Sequence, residues 1–161
     1  MEVISYINPI NNINNDLPKS YLEFIGEYGY GTFCGIVNIS EPDEQIIYST
    51  FSDYDFWEFD TNFTDQDLKK AIQLASTIDG DIICFVKHKV DTLFILPRNS
   101  ETILNFENLN EVLLFYQENY QPSELYFEPS FGRNIELFSL IHNRPHKGGC
   151  RFQKNASSVC H

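Results

Sequence analysis

The sequence predicts a single α+β domain in which a mixed or antiparallel sheet is flanked by helices. Apolar residues recur at helical spacing near both ends of the chain, and short strand-like apolar runs lie between them, unlike the alternation of βαβ folds. A length of 161 residues is typical of one domain, and 42% hydrophobic residues suffice for a sizeable core. We therefore place one domain at residues 1–141 and a basic, flexible tail at residues 142–161.

The first predicted helix starts near Pro18, because proline lacks an N–H group and already has a helical φ angle. Asp16 lies where it can cap this helix or face its positive end, and Gly29 is well placed for a left-handed cap at the other end. The apolar stripe of the helix comprises Tyr21, Leu22, Phe24, Ile25 and Tyr28. Residues 32–39 then predict a strand.

The next stretch predicts a turn at residues 41–43 and, over residues 46–51, a second strand antiparallel to the first. Helical and irregular interpretations both stay open for residues 52–63. Thr64 and Asp67 form a pair resembling a capping box. The helix that would follow runs to Ser76, and its apolar stripe would be Leu68, Ala71, Ile72 and Ala75.

The second half of the chain begins with a predicted turn at Asp79-Gly80, and the apolar run over residues 81–86 predicts a buried strand. Residues 93–96 would return as its partner, and residues 102–106 would add another strand. A helix is expected from residue 106 or 108 to Tyr120. An aromatic loop at residues 126–131 would then cover the core, and residues 135–141 match neither the helical nor the strand period.

Three short motifs occur in a characteristic order. They are the LP-x-x-Y-x-x-F/I helix at Leu17, Pro18, Tyr21, Phe24 and Ile25, the exit Tyr28-Gly29-Tyr30-Gly31, and Asp79-Gly80-Asp81 before residues 82–86. In this order and spacing the chain resembles the SMI1/KNR4 family, also called the SUKH superfamily, over about residues 10–131. The resemblance implies a bacterial immunity protein that binds and neutralises a polymorphic toxin, often a nuclease. A few relatives of that family are interaction modules in regulatory proteins.

The net charge of −12 argues against a protein that binds nucleic acid by neutralising phosphates. Residues 142–161 carry four basic and no acidic residues, a charge of +4. Residues 1–141 therefore have a net charge of −16. No apolar run is long enough for a membrane span, and the first ten residues lack the basic residues of a signal peptide. We therefore expect a cytoplasmic protein without membrane contact.

An acidic stretch runs from Ser20 to Leu68, where eleven Asp and Glu residues occur without a single Lys or Arg. Aromatic residues are interleaved with these acids, including Trp57, the only tryptophan of the chain. Acids attract a basic partner, and Tyr and Trp are frequent anchors of protein interfaces. The predicted partner-binding residues are Tyr30, Asp53, Tyr54, Asp55, Trp57, Glu58 and Asp60. The alternative is a solvated acidic surface over aromatic core residues.

Catalytic and metal-binding motifs are not evident in the sequence, so we expect no enzyme, no cofactor and no metal site. Asp53 and Asp55 lack the glycine and the terminal glutamate of a calcium loop, and Asp81 is expected to satisfy a turn or a helix end. Cys34 and Cys84 lie in apolar runs and are expected to be small buried residues, whereas the Cys and His residues of the tail lack metal-ligand spacing.

The sequence as a whole favours an immunity protein that neutralises a cognate toxin by stoichiometric binding through its acidic, aromatic surface. The first alternative is a regulatory or scaffold module that binds a host protein. A second is an enzyme or a small-ligand protein that uses clustered carboxylates. The sequence leaves the oligomeric state and the identity of the toxin open.

Overall fold

The computed structural model describes residues 16–53, 55–89, 91–130 and 135–136, and it confirms a single α+β domain. Eight strands form one sheet in the order β6-β5-β4-β3-β2-β1-β7-β8, and all of these neighbours pair antiparallel. The helices are α1 (Lys19–Tyr28), α2 (Ile46–Phe51), α3 (Asp65–Leu68) and α4 (Leu109–Tyr120). The strands are β1 (Gly31–Phe33), β2 (Val37–Asp43), β3 (Ala71–Thr77), β4 (Ile82–Val86), β5 (Leu93–Leu96), β6 (Leu104–Phe106), β7 (Tyr126–Pro129) and β8 (Ile135–Glu136).

The sheet buries apolar residues on both faces. Along β4, Ile83 and Phe85 join one core cluster, whereas Ile82, Cys84 and Val86 join a second cluster on the opposite side, as the period of a strand requires. The first cluster lies under α1 and α4, and we call this side the helix face. The second lies under α2, α3 and residues 57–63, and we call this side the loop face.

The helix α1 begins after Pro18 and ends at Gly29 as predicted, but Gly29 does not adopt the left-handed helical conformation expected of it, because its ψ angle is −167°. Pro18 is the N-cap of α1, and among the described residues no side chain, that of Asp16 included, caps this helix end with a hydrogen bond. Gly29 ends the helix with φ +78°, and its N–H donates to the Ile25 carbonyl at 2.9 Å. At the start of α4, the Asn108 side chain accepts a hydrogen bond from the Glu111 N–H at 3.0 Å.

The strand predicted over residues 32–39 is wrong, because the chain reverses within it. Cys34 and Gly35 adopt φ angles of +50° and +68°, and the Ile36 N–H donates to the Phe33 carbonyl at 2.8 Å. These residues form the tight turn between β1 and β2. The turn predicted at residues 41–43 is also wrong, since these residues are the last of β2.

Residues 46–51 form the helix α2 and not the predicted strand. Oδ1 of Asp43 accepts hydrogen bonds from the N–H groups of Gln45 at 2.8 Å and Ile46 at 2.9 Å, which starts the helical turn. Of the residues in α2, Ile47 alone is buried. The apolar run was therefore no guide to a buried strand.

The helix predicted to run from Thr64 to Ser76 stops after one turn. The capping box of Thr64 and Asp67 is present, but α3 ends at Leu68 and β3 begins at Ala71. A bulge between Gln73 and Ala75 places both Leu74 and Ala75 in the helix-face cluster. Because of this bulge, the apolar residues of β3 do not alternate strictly, and their spacing in the sequence resembles that of a helix.

Residues 126–129 form strand β7 and not the predicted aromatic loop, because they pair with β1. Phe127 is fully buried on the helix face, and a Cβ atom at Gly31 would lie 2.2 Å from the Glu128 carbonyl oxygen. The strands predicted at residues 81–86, 93–96 and 102–106 are confirmed. Residues 1–15, 131–134 and 137–161, and with them the predicted tail, lie outside the described residues.

Candidate protein-binding surface

Three of the predicted acids are exposed and lack a cationic neighbour. Asp53, Asp55 and Glu58 have no Lys, Arg or His nitrogen within ion-pair distance in the part of the chain that the structure describes. Other acids of the same stretch are paired: Glu23 with Lys19, Glu44 with Lys87, Asp65 with Lys69, and Asp67 with His88 and Lys89. The charge of residues 53–58 is therefore not neutralised within the described protein.

Trp57 belongs to the core and is only 5% exposed. Its indole Nε1–H donates to the Pro97 carbonyl at 2.9 Å, and its ring meets those of Phe51 and Phe56 edge-on at centroid distances of 5.1 and 5.8 Å. In this arrangement Trp57 fixes residues 55–60 to the sheet. Trp57 is therefore a core residue, which was the alternative to a partner-binding tryptophan.

Tyr30 lies apart from the other predicted site residues. Its ring packs against the helix-face cluster, its hydroxyl oxygen is buried, and its carbonyl accepts a hydrogen bond from the Ser130 N–H at 2.8 Å. Burial raises the pKa of the Tyr30 hydroxyl, and the nearby Glu41 carboxylate raises it further. Tyr30 is thus a neutral residue of the domain body on the other side of the sheet from Trp57.

The two remaining predicted residues differ in what the structure shows. Asp60 is exposed, but its Oδ1 accepts hydrogen bonds from the N–H groups of Asn62 at 2.7 Å and Phe63 at 3.0 Å. One function of Asp60 is therefore to hold the turn at residues 60–63. Tyr54 lies outside the described residues.

Exposed apolar side chains accompany the unpaired acids, and the list of predicted residues had missed them. Of the five exposed large apolar side chains among the described residues, three lie in residues 46–56. They are Ile46, Tyr48 and Phe56, which are 40%, 48% and 43% exposed. The sequence signal for Ile46 and Tyr48 was present but had indicated a strand. We group these three residues with Asp53, Asp55 and Glu58, because all six are exposed within residues 46–58, and call the group the acidic-aromatic surface.

A further acid joins this region through tertiary structure. The Glu58 N–H donates to the Glu101 carbonyl at 2.9 Å, and Glu58 forms a parallel bridge with Thr102. The exposed Glu101 side chain therefore lies on the neighbouring segment. No pattern in the sequence links two acids that are more than forty positions apart.

The carboxylates of Asp79 and Asp81 serve to fix α4 to the turn between β3 and β4. Tyr116 donates its hydroxyl to Asp81 Oδ2 at 2.8 Å, Asp81 Oδ1 accepts from the Arg98 N–H at 2.9 Å, and Tyr120 donates to Asp79. Burial and the Asp81 hydrogen bond raise the pKa of Tyr116, and the Asp79 hydrogen bond raises that of Tyr120 to about 12. The Asp81 carboxylate thus joins α4 to the end of β5, and it accepts no hydrogen bond from its own turn among the described hydrogen bonds.

The described residues show neither a metal centre nor a membrane-spanning helix. Within them, His, Cys, Asp and Glu side chains do not gather in groups of three that could hold a metal ion. None of their helices has the length and apolar character needed to cross a membrane. Cys34 and Cys84 are free and buried, as the sequence predicted. Burial raises the pKa of both thiols, which keeps them protonated.

Comparisons with known proteins give no relative: no protein-family model, curated protein or solved structure matches the chain. Membership of the SMI1/KNR4 family therefore stays a prediction from motifs. The local structure of those motifs is compatible with it. A helix follows Pro18, and Asp79-Gly80-Asp81 leads into β4, an interior strand of the sheet.

Proposed function

We propose that this protein is an immunity protein, or antitoxin, that binds and neutralises a cognate bacterial toxin through the acidic-aromatic surface. The proposal is supported above all by one observation. Unpaired carboxylates at Asp53, Asp55 and Glu58 occur in the same segment as the exposed rings of Tyr48 and Phe56. The order of the SMI1/KNR4-like motifs supports the same function.

The partner that suits this surface has a basic, partly apolar patch. Unpaired acids accelerate the encounter with such a patch and lose little on binding, because no internal ion pair has to be broken. Exposed aromatic rings supply buried contact area once the complex forms. A nuclease toxin has a basic active-site cleft for its phosphate substrate, and an acidic surface that occupies this cleft would exclude the nucleic acid.

The function proposed is stoichiometric binding in the cytoplasm and not catalysis. Three described carboxylates with close polar partners have structural roles. Asp81 accepts a hydrogen bond from Tyr116, Asp60 stabilises a turn, and Asp67 forms a capping box. Nucleic acid and membrane are not among the proposed partners, because the net charge of −12 would repel phosphates.

Charge reversal at the surface, compared with matched reversal elsewhere, tests the proposal. The test variant is D53K/D55K/E58K, and the control is E27K/E118K/E124K, which reverses three acids that are also exposed. Both variants change the net charge by the same amount. The wild-type protein is first used to capture partners from a lysate of the source organism, and a captured toxin is then expressed with each variant.

We expect the wild type and the control variant to protect the cells and the test variant to fail to protect them. Protection by the test variant would exclude this surface as the binding site. Capture of a regulatory protein without toxic activity would instead favour a scaffold module. Circular dichroism of both variants tests whether they remain folded.

A further inference from the structure

We infer that Lys89 is a positioning residue for the acidic-aromatic surface: it holds the turn at residues 60–63 against the sheet and thereby fixes the adjacent Glu58 end of that surface. The inference deepens the proposed function. That Lys89 affects binding of a partner rests on the proposed function, whereas its effect on the conformation of residues 60–63 is argued from the contacts alone and can be tested without a partner.

The ammonium group of Lys89 joins its own hairpin to residues 62–67, which lie more than twenty positions earlier in the sequence. Its Nζ donates to the Asn62 carbonyl at 2.5 Å and to Asp67 Oδ2 at 2.7 Å, and it lies 5.7 Å from the centre of the Phe94 ring. The hairpin between β4 and β5, the irregular segment and α3 therefore meet at one cation. Only 23% of the Lys89 side chain is exposed, so water screens these contacts weakly.

The carboxylate of Asp67 completes the clamp. Its side chain is 4% exposed, and Oδ2 accepts hydrogen bonds from the Thr64 N–H at 2.8 Å and the Thr64 hydroxyl at 2.9 Å. Burial raises the pKa of Asp67, but the hydrogen bonds from Lys89 and Thr64 outweigh burial and hold the pKa below its usual value. The carboxylate is therefore charged at neutral pH and available to Lys89.

The segment that Lys89 holds contains few backbone hydrogen bonds of its own. Between Trp57 and Thr64, the described backbone bonds are Glu58 N–H to Glu101 and Asp60 N–H to Phe63. Phe63 packs against Phe94 with the ring centroids 4.8 Å apart. The bond from Lys89 to the Asn62 carbonyl is thus the polar contact that connects this turn to the sheet.

Lys87 offers a matched control on the same hairpin. It pairs with Glu44 at 2.9 Å, and both side chains are nearly half exposed, so this pair contributes little to stability. The described hydrogen bonds include none from Lys87 to the carbonyl groups of residues 57–63. Replacement of either lysine by methionine removes one positive charge from the same hairpin and changes the long-range electrostatics equally.

Hydrogen exchange of the backbone amides measures the effect of Lys89 on conformation. In the full-length protein, Lys89→Met should accelerate exchange at Glu58 and Phe63 by about tenfold, the effect of losing a charge-assisted hydrogen bond. Lys87→Met should change exchange at these amides by less than about twofold, because an exposed pair contributes little. Lys89→Arg, which keeps the charge and the donors, should restore slow exchange. The amide of Cys84 in β4 reports whether the fold as a whole is weakened.

The fluorescence of Trp57 gives a second readout in the same segment, because it is the only tryptophan in the chain. Acrylamide should quench it more strongly in Lys89→Met than in Lys87→Met. Equal exchange at Glu58 and Phe63 in the two methionine variants would overturn the inference. So would an equal acceleration at Cys84, which would indicate general destabilisation. Neither measurement uses a toxin, so a failure here is distinguishable from a failure of the proposed function.

Discussion

The two faces of the sheet are stabilised in different ways. On the helix face, α1 and α4 satisfy their own backbone groups, and aromatic rings pack together. The Phe24 ring is tilted against that of Tyr28 at a centroid distance of 5.0 Å and meets that of Phe127 edge-on at 5.2 Å. On the loop face, an irregular segment covers the apolar residues. Side-chain hydrogen bonds attach this segment to the sheet. The Trp57 indole donates to the Pro97 carbonyl, and the Lys89 ammonium donates to the Asn62 carbonyl.

The difference explains where binding chemistry is found. A regular helix on a core presents a face whose composition is constrained by packing, whereas an irregular segment anchored at a few points can expose neighbouring residues in any direction. Asp53, Asp55 and Phe56 are consecutive or nearly so, and all are exposed. The loop face therefore combines a buried core with an exposed surface suited to a partner.

The largest expected effect is on the helix face. Phe127→Ala should lower the free energy of unfolding by about 3–5 kcal/mol, because Phe127 is fully buried between α1 and β1 and leaves a cavity. Phe56→Ala on the loop-face side should lower it by less than about 1 kcal/mol, since Phe56 is 43% exposed. Urea denaturation compares the two variants, and equal losses would contradict the distinction between the faces.

Glycine substitutions sharpen the comparison within the helix-face half. Gly31→Ala should destabilise by about 1–3 kcal/mol, because the new Cβ would lie 2.2 Å from the Glu128 carbonyl and 2.7 Å from the Phe127 ring. Gly26→Ala in α1 should stabilise by about 0.5–1 kcal/mol, since its Cβ meets no atom within 4 Å and alanine favours the helix. Thermal unfolding should show shifts of opposite sign.

The loop face should be the more sensitive to acid through Asp67. Its pKa is lowered in the folded protein, so the stabilisation is complete above the unfolded value of about 3.9 and is lost as pH falls through the folded pKa. Asp67→Asn should cost about 1–3 kcal/mol at neutral pH and should flatten the acid dependence. Asp65→Asn, which breaks an exposed pair with Lys69, should cost less than about 0.5 kcal/mol. Chemical denaturation between pH 3 and 7 would refute this assignment if both variants behaved alike.

The smallest expected effect on stability is at the acidic-aromatic surface. D53N/D55N/E58Q should change the free energy of unfolding by less than about 0.5 kcal/mol, because these acids are exposed and unpaired. Their removal should nevertheless slow association with a basic toxin by about tenfold at low salt. Stopped-flow mixing at low and high ionic strength provides the check. A large loss of stability would show that these acids are structural.

Local signals were sufficient for some elements and misleading for others. The helix α1 was predicted because its apolar periodicity matches its burial, and the strands β4 and β5 because continuous apolar runs are typical of strands that are buried on both faces. The segments 46–51 and 71–77 were misassigned, because a short apolar run does not distinguish a helix from a strand, and a bulge in β3 altered its period. The pairing of β7 with β1 depends on contacts about a hundred positions apart.

For the candidate site, the sequence by itself determined that acids and aromatic residues are concentrated in residues 46–60 without a neighbouring cation, because composition and order are properties of the chain alone. Only the tertiary structure decided which of them are available. It buried Trp57 and the hydroxyl oxygen of Tyr30, left Asp53, Asp55, Glu58 and Phe56 exposed, and brought Glu101 beside Glu58. The physical reason is that exposure and pairing depend on which distant strands and cations meet a segment, and local sequence carries no signal for such contacts.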